Sequence, residues 1–187
     1  MKNIAIFCSG SGSNAEKICA FFSKSKDVNV VLIATNNKKA FVIERAKKFN
    51  VPFFVFSKED LNSFTGLQKK LTEKQVSYVV LAGFLLKIPN IMISTYPKKI
   101  INIHPSLLPK YGGKGMYGKN VHQAVLRNKE KKTGVTIHLV NEFYDEGEIL
   151  FQASCSINKS DDVASLSKKV QLLEHKFFSL TIKKFVS

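Results

Sequence analysis

Short apolar runs alternate with amphipathic stretches along the first hundred residues of the chain. The apolar runs predict five strands, at residues 3–8, 28–34, 52–56, 78–82 and 100–103. The stretches between them predict helices at residues 15–23, 40–49, 58–74 and 89–95, although Gly66 weakens the third of these helices. Strands and helices that alternate at this spacing are typical of βαβ units. We therefore expect a mainly parallel sheet with helices on both faces.

The pattern changes after Pro105. Residues 110–119 contain four glycines and predict a mobile loop, followed by a short helix at residues 121–128. Two further strands are predicted at residues 134–140 and 149–157, the last of them antiparallel at the sheet edge, and a closing amphipathic helix at residues 161–184. No repeat or linker interrupts the chain. The sequence thus predicts a single Rossmann-like α/β domain over residues 1–187, with a twisted, mainly parallel sheet and an antiparallel C-terminal edge.

The composition narrows the class of protein. The chain has 187 residues, of which 44% are hydrophobic and 23% charged, and its apolar stretches are too short to span a bilayer. The N-terminal apolar run continues into a glycine turn rather than a cleavage site, which argues against a signal peptide. Three separated cysteines, Cys8, Cys19 and Cys155, have no metal-ligand spacing. We expect reduced thiols, no metal site, no membrane partner and a cytoplasmic protein.

The net charge of +15 raises the possibility of a nucleic-acid partner. The charge comes almost wholly from lysine, since Arg45 and Arg127 are the only arginines, and the lysines are scattered in pairs along the chain. Recognition of bases and phosphates usually enlists the arginine fork. The pattern therefore favours solvated lysines and no nucleic-acid partner, with a positive field that would attract anionic small molecules.

A glycine-rich turn follows the first predicted strand. Residues 10–15, Gly-Ser-Gly-Ser-Asn-Ala, match the GxGxxA form of a dinucleotide-binding turn, but the second strand ends at residues 35–38 without the acidic residue that such a site uses. Free backbone N–H groups at a helix N-terminus, with the side chains of Ser13 and Asn14, favour a monophosphate site. The alternative is a tight turn that simply needs glycine.

Residues 102–109, Asn-Ile-His-Pro-Ser-Leu-Leu-Pro, carry the chemistry that the sequence suggests most strongly. Because side chains alternate along a strand, Asn102 and His104 should share one face while the isoleucines beside them face the other way. The following prolines should end the strand, which leaves the imidazole at its carboxyl end. With Asp145 as an acidic partner, an amide and an imidazole could stabilise the oxyanion of an acyl transfer. The alternative is a buried polar pair that holds the turn. His138, on the polar side of its own predicted strand, is a secondary candidate.

These segments resemble the phosphoribosylglycinamide formyltransferases, the folate-dependent transformylases of purine synthesis. The likeness extends over essentially the whole chain, and residues 102–109 are its most specific part. The matching segments are residues 12–14 (Gly-Ser-Asn), 81–84 (Leu-Ala-Gly-Phe), 102–109, 134–138 (Gly-Val-Thr-Ile-His), 145–147 (Asp-Glu-Gly) and 174–175 (Glu-His). The resemblance implies transfer of a formyl group from 10-formyltetrahydrofolate to the amine of glycinamide ribonucleotide, by an enzyme that is a monomer or a homodimer and needs no metal.

The resemblance also implies residue roles. The catalytic residues would be Asn102 and His104, which bind the developing oxyanion, and Asp145, which raises the pKa of His104. The ribonucleotide would be bound by Gly12, Ser13, Asn14, Gln171 and Glu174. The folate would be bound by Leu85, Leu86, Lys87, Ile88, Asn102, Val140, Asn141, Tyr144 and Asp145.

The chain departs from the family at the folate site. Family members often carry an arginine after the Gly-Phe pair at residues 83–84, where this chain has Leu86 and Lys87, and the arginine expected near residues 58–62 is also absent. A lysine such as Lys58 or Lys87 would take its place.

Three other functions remain open from the sequence. A formyltransferase with another acceptor, such as methionyl-tRNA, shares residues 102–109 but carries a further C-terminal domain. A formyltetrahydrofolate hydrolase carries an extra N-terminal domain. A non-catalytic nucleotide- or nucleic-acid-binding protein would explain the glycine turn and the charge alone.

Overall fold

A computed structural model describes residues 1–186 of the chain. Seven strands form one sheet: β1 (Lys2–Phe7), β2 (Val28–Thr35), β3 (Phe53–Val55), β4 (Tyr78–Leu81), β5 (Ile100–His104), β6 (Lys132–Leu139) and β7 (Ile149–Ser156). Seven helices flank it: α1 (Ser13–Phe22), α2 (Val42–Lys48), α3 (Lys58–Ser63), α4 (Thr65–Glu73), α5 (Asn90–Thr95), α6 (Lys119–Arg127) and α7 (Val163–Val186).

The strand order is β3-β2-β1-β4-β5-β6-β7. The pairs among β1 to β5 are parallel, whereas β6 is antiparallel to both β5 and β7. Strands β1 to β3 follow one another toward one edge of the sheet and β4 onward toward the other, so the switch point lies between β1 and β4. Open α/β sheets bind ligands at such a point, at the carboxyl ends of their strands. The predicted α/β class, with a mainly parallel sheet and an antiparallel C-terminal edge, is confirmed.

The sheet is buried on both faces because successive side chains of its central strands enter two different cores. In β1, Ile4 and Ile6 pack with residues of α1, α2 and α7, while Ala5 and Phe7 pack with residues of α3, α4 and α5. Strands covered on both sides read as continuous apolar runs. This explains why the sequence marked β1, β2 and β4 so clearly.

The prediction of one helix at residues 58–74 was wrong. The structure has two helices there, and the break lies at Phe64 rather than at Gly66. Phe64 has a φ of 59° and a fully buried ring, so burial of the ring holds a backbone conformation that a bulky residue rarely adopts. A capping box between Ser57 and Asp60 fixes the start of α3.

The segment after Pro105 follows the expected order. Residues 105–118 contain no helix or strand, and α6 begins at Lys119. The closing helix α7 packs against α1, α6, β6 and β7, and its residue Glu174 meets Asn14 at the start of α1. Within residues 1–186, no helix is both long and apolar enough to cross a membrane.

The close pairing of β6 and β7 requires a glycine at position 134. A Cβ at Gly134 would overlap the carbonyl oxygen of Ala153, whereas a Cβ at Gly66 in α4 would meet no atom within 4 Å. We expect Gly134→Ala to lower the free energy of unfolding by about 1–3 kcal/mol through overpacking. Gly66→Ala, the matched control, should raise it by up to about 1 kcal/mol through helix propensity. Urea unfolding of both variants checks this, and an equal effect at the two sites would contradict the account.

Candidate active site

A cavity of about 530 Å³ opens at the carboxyl edge of the sheet, within the size range of small-molecule sites. It is bounded by the start of α1, the segment after β4, the end of β5, residues 110–118 (the glycine loop), the segment after β6, and α7. Thirteen of the residues expected from the sequence line it: Asn14, Leu85, Leu86, Lys87, Ile88, Asn102, His104, Val140, Asn141, Tyr144, Asp145, Gln171 and Glu174. Gly12 and Ser13 lie beside it, since Gln171 donates to the Ser13 hydroxyl over 3.2 Å.

The register between β5 and β6 brings four polar side chains to one face. Asn102 lies opposite His138, and His104 lies opposite Thr136. The isoleucines at 101 and 103 pack in the core on the other face, as the alternation predicted. The antiparallel partner strand therefore adds His138 and Thr136 to the pair that the sequence had singled out.

Asn102 and His138 are in direct contact. The Asn102 amide nitrogen is 3.0 Å from His138 Nε2, and His138 Nδ1 is 2.8 Å from the Leu139 carbonyl oxygen. A carbonyl only accepts, so Nδ1 carries a hydrogen and donates to Leu139, while Nε2 faces the Asn102 amide. His138 thus orients the amide of Asn102, which keeps a second N–H for another acceptor.

His104 is held by the glycine loop on one side and by Asp145 on the other. Its Nε2 donates to the Tyr111 carbonyl over 2.8 Å, and its Nδ1 is 3.5 Å from Asp145 Oδ2. The same Oδ2 atom accepts from the Gly113 N–H at 2.9 Å, and Oδ1 lies 3.7 Å from His138 Nε2. One carboxylate therefore faces both imidazoles and anchors the loop.

Tight turns place Asp145 in this position. Its φ is 58°, in the left-handed region that an aspartate tolerates better than most residues. Two residues later, a Cβ at Gly147 would overlap the carbonyl oxygen of Leu139, so only glycine allows this approach to the end of β6. Gly147 is therefore required by close packing.

Burial and charge act in opposite directions on His104. Burial lowers the pKa of its imidazole, and Asp145 raises it, as the sequence led us to expect. Burial has the larger effect, so the net pKa of His104 is below its ordinary value and the ring is mostly neutral at pH 7. Burial raises the pKa of Asp145, but His138, His104 and the Gly113 N–H together lower it by more, so its carboxyl is ionised.

The expected phosphate-binding turn is joined to α7. Asn14 at the start of α1 donates to Glu174 Oε2 over 2.7 Å, and the Asn14 Oδ1 atom is buried without a hydrogen-bond partner. Burial raises the pKa of the Glu174 carboxyl, and the hydrogen bond from Asn14 offsets part of that rise. An unpartnered buried acceptor beside the cavity is a position that a ligand hydroxyl or amine can satisfy.

The segment after β4 is anchored to the turn after β1. The Ser9 N–H donates to the Gly83 carbonyl over 3.1 Å, and the Leu85 N–H donates to the Ser9 hydroxyl over 3.0 Å. Farther along, Lys87 Nζ lies 5.4 Å from the centre of the Tyr144 ring, a cation–π contact. Lys87 is thus placed in the wall of the cavity, whereas Lys58 is not among its lining residues.

Sequence reasoning missed the residues that support the turn after β5. The Thr136 hydroxyl donates to the Ser106 carbonyl over 2.7 Å and accepts from the Leu108 N–H over 3.0 Å. Gln152 donates to both Thr136 and the Leu108 carbonyl. Only the polar position of Thr136 beside His138 could have signalled this network. His122, also missed, lines the cavity with its Nδ1 atom buried and unpartnered.

Within residues 1–186, no group of three or more His, Cys, Asp or Glu side chains is arranged to hold a metal ion.

The opposed effects on His104 give a direct test. In Asp145→Asn the charge that raises the His104 pKa is removed, so this pKa should fall further below its ordinary value. NMR titration of the imidazole resonances between about pH 4 and pH 8 would measure it. His175, whose pKa is lowered by burial and by Lys17 and Arg45, is the internal control and should not move. A His104 pKa that stays the same or rises would refute the coupling.

Comparison with known proteins agrees with this geometry. The formyl transferase family profile matches residues 2–182. Phosphoribosylglycinamide formyltransferase of Bacillus subtilis is 32% identical over 191 residues, covering 100% of this chain and 95% of that protein. The chloroplastic phosphoribosylglycinamide formyltransferase of Arabidopsis thaliana is 42% identical over 185 residues, and the match spans 95% of this chain but only 63% of the plant protein. The crystal structure of the Bacillus halodurans formyltransferase aligns with a TM-score of 0.90 at 35% identity, covering 100% of this chain and 96% of that one. The chain therefore belongs to the formyl transferase family, among the phosphoribosylglycinamide formyltransferases of purine biosynthesis.

Proposed function

We propose that the chain transfers the formyl group of 10-formyltetrahydrofolate to the amine of phosphoribosylglycinamide. The observation that carries the proposal is the placement of Asn102, His104 and Asp145 together at the cavity, between the turn at α1 and the segment after β4. The relatives in Bacillus subtilis and Arabidopsis bear the name of this activity. A cytoplasmic location and a monomeric or homodimeric state stay predictions.

The ribonucleotide would occupy the side of the cavity formed by α1 and α7. The first N–H groups of α1 have no partner within the helix, so they and the positive end of the helix dipole would bind the phosphate at Gly12, Ser13 and Asn14. Gln171 and Glu174 would hold the sugar from α7. The partnerless oxygen of Asn14 supports a ligand donor at this point.

The folate would occupy the opposite side. Leu85, Leu86, Ile88 and Val140 would provide apolar contacts for a flat heteroaromatic ring. Asn141, Tyr144 and Asp145 follow on the same wall, and Lys87 would meet the anionic tail in place of the missing arginine. When bound, the cosubstrate supplies the formyl carbon, which would lie between Asn102 and the acceptor amine.

The reaction needs stabilisation of an oxyanion and movement of a proton. The amine nitrogen forms a bond to the formyl carbon, the carbonyl oxygen takes up negative charge, and the bond from carbon to the folate N10 then breaks. The free N–H of Asn102 would donate to the oxygen, and the His104 Nε2–H would do so by exchanging the Tyr111 carbonyl for the substrate oxygen. The proton lost by the amine would pass to N10 when it leaves. Because the amine attacks the formyl carbon directly, no covalent enzyme intermediate is needed.

The neutral resting state of His104 fits this sequence of events. Burial keeps the ring mostly neutral before reaction, but Asp145 lies 3.5 Å from Nδ1 and is ionised. The neutral ring would accept the proton lost by the amine, Asp145 would stabilise the resulting imidazolium, and the ring would give the proton to N10 as that atom leaves. Asp145 would thereby act on the reaction through the charge of His104.

Incubation of the protein with both substrates tests the function. Deformylated folate should be released only when the ribonucleotide is present. In His104→Ala, kcat should fall by about 100-fold to 1,000-fold, the effect of losing one oxyanion donor. His175→Gln, at a histidine outside the cavity lining, should keep its rate.

The outcomes separate the competing functions. Release of folate without ribonucleotide would indicate a hydrolase. No release with this acceptor would exclude the proposed reaction and favour another acceptor or a binding protein. A His104→Ala enzyme of near-normal rate would remove His104 from the mechanism while leaving the overall reaction in place.

A further inference from the structure

The turn between β1 and α1 is braced from outside by α2. The Arg45 Nε–H donates to the Ser11 carbonyl over 2.8 Å, and the Val42 N–H donates to the Gly10 carbonyl over 3.2 Å. In a trans peptide the C=O and the following N–H point in opposite directions. Because α2 holds both carbonyls, the N–H groups of Ser11 and Gly12 are directed away from α2. Arg45 and Val42 thus set the orientation of these two N–H groups, of which that of Gly12 contacts the Cys8 side chain.

Val42 also fixes the space around the turn. Gly12 has a φ of 73°, and a Cβ at this position would lie 2.5 Å from Val42 Cγ2. The turn is therefore pressed against the start of α2 and cannot shift toward it. Its geometry depends on α2 as much as on its own glycines.

A negative charge lies beside the same turn. Glu16, in the first turn of α1, forms ion pairs with an η nitrogen of Arg45 and, over 2.9 Å, with Lys48 Nζ. Its side chain is largely shielded, with 26% of its surface exposed. An unpaired carboxylate at a helix N-terminus would occupy the favourable end of the dipole and repel a bound phosphate. The two cations of α2 neutralise it.

Arg45 does not line the cavity, so it is not placed to bind the phosphate directly. Its Nε is engaged by Ser11, one η nitrogen by Glu16, and its guanidinium carbon lies 5.2 Å from the centre of the Phe41 ring. Its effect on a ligand in the cavity is therefore expected to pass through the turn or through Glu16.

We propose that Arg45 is a positioning residue that sets the phosphate affinity of the turn at residues 10–14, by holding the Ser11 carbonyl and by neutralising Glu16. The inference rests on the proposed function, which places the ribonucleotide phosphate at this turn. It assigns to α2 a part in substrate recognition although no α2 residue lines the cavity.

Steady-state kinetics with two acceptors tests the inference. One acceptor is the ribonucleotide, and the other is glycinamide riboside, which lacks the phosphate. In Arg45→Met, KM for the ribonucleotide should rise about tenfold, the effect of losing one charged hydrogen bond, with little change in kcat. KM for the riboside should stay within about twofold of the wild-type value, a change too small to register as a lost hydrogen bond. Arg45→Lys keeps the charge but loses the planar fork, so its KM for the ribonucleotide should lie between the values of the wild-type and Arg45→Met enzymes.

Glu16→Gln separates the charge effect from the bracing effect. Added to Arg45→Met, it should lower the raised KM for the ribonucleotide several-fold, because the exposed carboxylate is removed. Alone, in an enzyme that keeps Arg45, it should lower KM for the ribonucleotide below the wild-type value and leave KM for the riboside unchanged. This single variant tests the idea even if Arg45→Met does not fold.

Lys47→Met is the matched control. Lys47 belongs to the same helix and forms an exposed pair with Glu44 that does not contact the turn, so KM should not change. Equal increases in KM for both acceptors in Arg45→Met would reduce Arg45 to a structural role. A Glu16→Gln variant that raises KM for the ribonucleotide would overturn the charge argument. If the wild-type enzyme formylates neither acceptor, the proposed function fails, a result distinct from either.

Discussion

The antiparallel pairing of β6 with β5 is the constraint on which the site depends. The antiparallel ladder pairs Ile101 to His104 of β5 one by one with Leu139 to Thr136 of β6. Its register puts His138 opposite Asn102 and Thr136 opposite His104. A shift of one residue would turn both polar side chains into the core and remove the support of the amide and of the turn after β5.

Asp145 is the group through which the separate parts of the site are joined. Its two oxygens face His104, His138 and the N–H of Gly113, which belong to β5, β6 and the glycine loop. A carboxylate with 12% of its side chain exposed is desolvated at a considerable cost, and these neighbours offset that cost. These properties are consequently coupled: a change in the protonation of His104 or of the Asp145 carboxyl affects how firmly the glycine loop is held.

The sequence predicted the fold well where strands are buried on both faces. It predicted less where tertiary contacts determine the backbone conformation or the pKa of a side chain. The runs of β1, β2 and β4 are apolar on both faces, and this pattern predicted strands correctly. The alternation of Asn102 and His104 with isoleucines predicted that the two polar side chains lie on the same face of β5. Phe64 was missed because its left-handed backbone is held by burial of its ring, which no local pattern reveals. The net fall in the His104 pKa was missed for a similar reason: the charge of Asp145 is visible in the sequence, but the extent of burial is not.

The polar groups of the site already have partners within the protein, and this bears on how a substrate is selected. Asn102 contacts His138, His104 donates to the Tyr111 carbonyl, and Asn14 donates to Glu174. A ligand that displaces one of these contacts must supply an equivalent hydrogen bond, because a buried polar group left unpaired costs about 1–3 kcal/mol. An apolar molecule of the right shape would fill the cavity but leave the Asn14 Oδ1 and His122 Nδ1 atoms, which are buried without a partner, unsatisfied. The arrangement therefore favours a ligand pair with donors and acceptors at both ends of the cavity, and it disfavours binding by shape alone.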